Sequence, residues 1–226
     1  MIRGSCLSKG ASGGSISEKK MAGSDDIATM FAGADGTYRF ARWGRPIVPV
    51  VFGVDDATLA VVKGAIEATV ALAGNQMAET DPELGANLMM FFLSDWAELR
   101  DVPKLDQLIP NLDPLVDRLL DEDAAQYRTF RTDENGAIKA CFVFLNMGGL
   151  LADVAAEDIA LAQAAQVMLL WSPTAFSNRS PLAKAGETVI LRPDIADIIG
   201  AAYDPVMPVA ADDPSHALRL AARISA

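Results

Sequence analysis

The side chains that ordinarily run hydrolysis are scarce in this chain. His216 is its one histidine, and Cys6 and Cys141 are its two cysteines. A zinc site takes three or four ligands from His, Cys and carboxylates. No HExxH helix can therefore form, and Cys141 has no Cys or His at ligand spacing. A serine or cysteine nucleophile needs a base, and the choices reduce to His216, a lysine or a carboxylate. No GxSxG elbow, no GxGxxG or GxxxxGK[ST] phosphate cradle and no EF-hand loop occurs. His216 is expected to be solvated in the first turn of a last helix. Cys141 is expected to be an inert apolar side chain inside a strand, because burial raises a thiol's pKa.

Carboxylates are more plentiful. Paired acids stand at Asp25–Asp26, Asp55–Asp56, Asp121-Glu122-Asp123 and Asp212–Asp213. Two acidic groups sharing a pocket could move protons without a metal, and Asp194 and Asp204 are the pair near the last helices that would do so. The pairs also lie where helices start or stop, and caps use the same residues.

Thirty acidic against nineteen basic residues give a net charge of −11 and a pI near 4.5. Such a field repels phosphate backbones and anionic membrane surfaces, so neither nucleic acid nor membrane is expected as a partner. The longest apolar stretch, Ile159 to Trp171, is broken by Gln163 and Gln166; it falls short of the roughly 18 apolar residues of a membrane span. Two cysteines in unrelated contexts argue for a reducing compartment. Residues 1–20 lack an apolar signal region, and the reading is cytoplasmic. The Gly/Ser-rich stretch 1–36 reads as a disordered tail, with Met21 or Met30 as alternative starts. Residues 37–226 read as a single domain, long enough for a full core.

The elements that must position any site follow from periodicity and punctuation. Ile47 to Val54 is β-rich with Pro49 at an edge or strand start. Leu59, Val62, Ile66, Val70 and Ala73 fall at helical spacing, capped by Asp55 or Asp56 and ended by Gly74, which predicts a helix over 57–73. Asn87 to Leu93 is apolar on both faces and marks the sheet centre. Ser94–Asp95 and Asp113–Pro114 each start a helix. Asn135–Gly136 joins 126–131 to 137–145 as an antiparallel hairpin, with Ile138, Ala140, Phe142 and Phe144 on one face. The last third reads as helical: 156–171, a loop over 172–185, a helix from Pro193 to Tyr203-Asp204-Pro205, and a last helix after Asp213–Pro214 with Ala217, Leu218, Leu220, Ala221 and Ile224 as its apolar face. The fold class is α+β, a mixed or antiparallel central sheet with a hairpin packed against several helices.

The order of Arg42-Trp43, Pro46-Ile47, Ala86-Asn87, Ala162-Gln163-Ala164-Ala165-Gln166, Phe176, Asn178 and Tyr203-Asp204-Pro205 resembles a bacterial family of zincin-like, metallopeptidase-like domains of unknown function, many of them exported. The likeness runs from about Arg42 to Pro208. That family's helix reads Glu-Glu-x-x-Gln; here Gln166 keeps the last position, while Ala162 and Gln163 replace the acidic pair. In a zincin this helix supplies two ligands and a general-base Glu. Ala162 can do neither, and a carboxamide cannot replace the base. The resemblance therefore implies a degenerate scaffold, without cofactor or metal.

The function expected is a non-catalytic binding or interaction protein, its partner a protein or small molecule. Gln163, Gln166, Tyr203 and Asp204 are its candidate binding groups, in a cleft between helix 157–171 and the sheet. Two alternatives remain open. One is a zinc-independent hydrolase or lyase using Asp194 and Asp204. The other is a self-associating structural protein, a homodimer whose patch draws on Trp43, Trp96, Trp171 and Phe91–Phe92.

Overall fold

Asp55 opens the clearest helix. Its carboxylate accepts from the Thr58 N–H at 2.7 Å, and α2 (Asp56–Leu72) follows, burying Val62, Ile66, Thr69 and Val70 on one face. The chain leaves it through Gly74 at φ 65°, a left-handed conformation that glycine adopts without steric cost. The structure, a computed structural model, describes residues 23–225.

Four strands make the central sheet: β2 (Pro49–Phe52), β3 (Leu88–Leu93), β4 (Gln126–Thr132) and β5 (Ile138–Asn146), in the order β2-β3-β5-β4. The pairs β2–β3 and β3–β5 are parallel, and β4–β5 is antiparallel. The sheet is thus mixed, and β3 and β5 are its interior strands. Pro49 begins an edge strand, where its missing N–H costs no ladder bond.

Each face of the sheet carries its own core. Leu88, Met90 and Phe92 of β3 and Cys141, Val143 and Leu145 of β5 face α2 and α5 (Ala156–Val167). Phe91, Leu93, Ala140, Phe142 and Phe144 face a 3-10 helix (Trp96–Asp101), α3 (Leu105–Leu108) and α4 (Leu112–Asp121). On this second face one aromatic from every strand falls in register: Phe52, Phe91, Phe144 and Tyr127 stack in a row, with centroids 4.7, 4.9 and 6.2 Å apart. Cross-strand aromatic pairs of this kind bind strands to one another beyond their buried area.

Around this framework lie α1 (Ser24–Thr29), the short pair β1 (Phe40–Ala41) and β8 (Ala210–Ala211), the hairpin β6 (Leu182–Ala185) with β7 (Thr188–Leu191), α6 (Pro193–Ala202) and α7 (Ser215–Ile224). β1 pairs with β8, and α1 packs on α7. Among the described residues no helix is long and apolar enough to cross a membrane.

Several expectations are corrected. The disorder expected over 1–36 does not hold for its described part: Ser24–Thr29 forms α1, and Ile27 and Phe31 are fully buried in the core. Residues 1–22, including Cys6, lie outside the described residues. Ile138 does not share a face with Phe142, because the pairing slips between Arg131↔Ala140 and Thr132↔Ile138; the extra residue turns Ile138 into the α2/α5 core. α4 begins at Leu112, so Asp113 and Pro114 lie inside its first turn. The stretch 172–185 runs into the β6–β7 hairpin, and Leu218 is 60% exposed. His216 is buried, not solvated.

The helix expected over 156–171 stops at Val167. The last carbonyls of a helix have no intrahelical donor, and here three side chains supply them, two of them from distant positions. Trp171 Nε1 donates to Ala165 O at 3.2 Å, Trp43 Nε1 to Val167 O at 2.8 Å, and the Tyr203 hydroxyl to Met168 O at 2.9 Å. Released from the helix, the chain runs extended, with Leu169 bridging Arg42 and the Leu170 N–H bonding Ala41 O.

Candidate functional site

α5 is enclosed. From Ile159 to Val167 every residue except Leu161 is buried, with the sheet and α2 on some sides and α6 and the β6–β7 hairpin on others. Among the described residues, none from Ile159 to Val167 is exposed. Gln163 and Gln166 are therefore buried polar groups, and they require partners.

The partner is an arginine that the sequence reading passed over. On edge strand β4, Gln126, Arg128 and Phe130 stand opposite Leu145, Val143 and Cys141 and so share the face toward α5. Arg128 donates to Gln166 Oε1 at 3.3 Å and, through its other terminal nitrogen, to Gln163 Oε1. Gln163 Nε2 donates to Gln126 Oε1 at 2.8 Å, and Gln166 Nε2 to Ala162 O at 3.2 Å. Among the described residues no carboxylate lies within ion-pairing distance of Arg128, and its buried Nε has no partner. Burial lowers the guanidinium's pKa, opposed by the neighbouring Cys141. Burial pushes the Cys141 thiol up to about 12, which makes it a poor nucleophile.

Tyr203 and Asp204 do not join this row. The Tyr203 hydroxyl closes the C-terminus of α5 as described, accepts from the Trp43 N–H at 3.4 Å, and the Arg42 guanidinium lies 5.3 Å above its ring. Asp204 accepts from the Val206 N–H at 2.9 Å and faces Arg223 at 3.7 Å. Asp194 pairs with Arg179 and Arg192. It stands in the first turn of α6 and Asp204 just past its last, roughly 15 Å apart at 1.5 Å per residue. They form no acid–base pair. Among the described residues no group of three or more His, Cys, Asp and Glu could hold a metal ion.

No protein-family model, curated protein or solved structure matches this chain. What its site can do must be argued from its own residues. On α5, Ala162 presents a methyl, and Gln163 and Gln166 point their oxygens at a guanidinium. A divalent metal placed there would meet a fixed positive charge, so these residues do not fit zinc. The aromatic residues considered for a dimer patch are also committed: Trp43, Trp96, Trp171, Phe91 and Phe92 are each at most 9% exposed, and all three indole N–H groups bond to backbone carbonyls.

Proposed function

We propose that this chain is a non-catalytic binding domain, built on a metallopeptidase-like scaffold that lacks ligands for zinc. Its recognition groups are the polar row where β4 meets α5. One observation carries the reading: Arg128, a half-buried residue whose Nε is enclosed, has carboxamide oxygens, not carboxylates, around its charge. A buried cation without a counter-charge is costly, and a fold bears that cost where the charge serves a ligand. The same residues place a cation where a hydrolase of this scaffold would need to hold a metal, which argues against catalysis and for recognition.

Elemental analysis of the purified full chain tests this. Zinc is expected to be substoichiometric and to wash out by dialysis. One zinc per chain, retained with sub-micromolar affinity, would overturn the reading.

A further inference from the structure

The central sheet has two edge strands. β2 is four residues long and begins with Pro49, whereas β4 runs seven residues from Gln126 to Thr132, each of them at least partly exposed. At the ends of the β4–β5 ladder the Asn146 N–H donates to Ala125 O and the Asp133 N–H to Ala137 O. Between these bonds the alternation of an antiparallel pair turns the N–H and C=O of Tyr127, Thr129 and Arg131 toward β5. Those of Gln126, Arg128, Phe130 and Thr132 point away from the sheet. Among the described residues these four N–H groups donate to nothing, and of the four carbonyls only Phe130 O has a partner, Arg131 Nη1 at 3.3 Å. An edge with its backbone groups unmet is a template for another strand.

The side chains of β4 select which strand. Its sequence is self-complementary about Thr129. Laid antiparallel on a second copy with the two Thr129 residues opposite, Tyr127 faces Arg131, Arg128 faces Phe130 and Gln126 faces Thr132. Every outward N–H then meets an outward carbonyl. The Tyr127 ring, last in the row Phe52-Phe91-Phe144-Tyr127, receives the Arg131 guanidinium of the second copy, a favourable cation–π contact. Phe130 covers the apolar stem of Arg128, whose guanidinium Gln163 and Gln166 draw toward its own α5. Leu108, 46% exposed, stands beside the edge where Arg131 Nη2 donates to its carbonyl at 2.9 Å, and adds apolar surface.

Other registers fail. Parallel in-register pairing sets each arginine on its own counterpart, and antiparallel pairing centred on Arg128 sets that residue opposite itself; like charges directly opposite are destabilising. Centring on Phe130 leaves Gln126 beyond the end of the partner strand. An inward-pointing arginine on an edge strand ordinarily guards against pairing; here the two arginines reject the wrong registers and admit one.

We infer that the chain forms a two-fold dimer by pairing β4 with β4 of a second copy about Thr129, which joins two four-stranded sheets into one. Each residue contact occurs twice across the axis, as an isologous interface requires. The bonds run through the backbone edge of β4, so the dimer stands apart from the binding role proposed for the Arg128 side chain.

Sedimentation equilibrium of the full chain from about 1 to about 100 µM is the first measurement. Salt at about 0.15 M screens the repulsion between two copies of net charge −11. The mass should rise from 23.9 kDa toward twice that value. The second measurement is a cross-link. Facing Thr129 residues form a non-hydrogen-bonded pair with Cα atoms about 4.5 Å apart, within the span of a disulfide. Cys141 is buried, and Cys6 is replaced by Ser in the background chain. With oxidised glutathione, Thr129→Cys in that background should give a disulfide-linked dimer. Tyr127→Cys should not, because it lies about 13 Å along the strand from its own counterpart. A chain that stays monomeric at the highest concentration overturns the inference. So does a dimer in which Thr129→Cys stays unlinked or Tyr127→Cys links equally well, either of which marks association through another surface. Sedimentation of the natural chain keeps the test decisive if a cysteine variant does not fold.

Discussion

Replacing Asn87 by Ala is expected to cost the fold about 3–5 kcal/mol and to lower melting by about 10 °C. Asn87 is fully buried where β3 begins. Its Oδ1 accepts from the Val48 N–H at 2.8 Å, and its Nδ2 donates to Pro46 O at 2.9 Å and to Asp81 Oδ2 at 3.0 Å. One side chain thus supplies partners to the approach to β2 and to the loop before β3. Removing it leaves a buried N–H, a carbonyl and one carboxylate oxygen each short of a bond, and unmade bonds cost more than made bonds return. Asp81 depends on the same cluster. Burial opposes its ionisation, but the N–H groups of Leu84 and Glu83, the Asn87 amide and Arg45 outweigh that and hold its carboxyl below the usual range. Urea unfolding of the Asn87→Ala chain measures the cost; a midpoint within error of the natural chain would contradict it.

Part of the domain's weakening in acid should come from one histidine. His216 is 2% exposed. Its Nδ1 is 2.8 Å from the Tyr38 hydroxyl, its Nε2 is buried without a partner, and its ring lies 4.2 Å from that of Phe40. Burial, with a smaller contribution from the Arg219 charge, pushes its pKa down to about 4 from 6.5. The unfolded chain takes up this proton below about pH 6.5 while the folded chain refuses it until about pH 4. Stability from His216 is therefore complete above pH 6.5 and drains away as pH falls toward 4, about 3 kcal/mol in all. Below pH 4 this group adds no further loss. Carboxylates titrate in the lower part of the same range, so the measurement is a difference: the double variant Tyr38→Phe, His216→Phe replaces both polar partners by apolar rings and should lose that part of the slope. Parallel pH profiles for the two chains would show that His216 is not the cause.

Local rules carried far in this sequence where local physics decides the outcome. Asp55 and Gly74 bound α2, the unbroken apolarity of Leu88–Leu93 marked an interior strand, and Asn135–Gly136 turned β4 into β5. The misreadings share a cause, which is tertiary contact. Met168 to Trp171 has a helical composition, yet the Trp43 indole and the Tyr203 phenol, from distant positions, and the Trp171 indole itself take the carbonyls that continued helix would have used. Leu182 to Leu191 pairs two strands of only four residues each, too short to announce a hairpin. His216 reads as surface on its own helix and is buried only because Tyr38 and Phe40 come to meet it.

The site was half legible. Gln163 and Gln166 interrupt an apolar run, which identifies them as polar groups inside the domain. Arg128 was also within reach: counting back from the Asn-Gly turn places it opposite Val143, on the face of Cys141 and Leu145, and an arginine on a core-facing strand position demands partners. No local rule could reveal that the partners were those two glutamines, since β4 and α5 meet only through the fold. Tyr203 and Asp204 carry a recognisable motif, but its work is to end one helix and turn the chain out of another.

The pairing of β1 with β8, and of α1 with α7, has a kinetic meaning. Phe40 and Ala211 are roughly 170 residues apart, and Tyr38 and His216 are 178 apart, so these contacts close very long loops, and such contacts are favourable only after the intervening chain has folded. His216 and Tyr38 sit in this same seam. The domain fastens last, and in acid should unfasten first, at one latch whose pin is an imidazole.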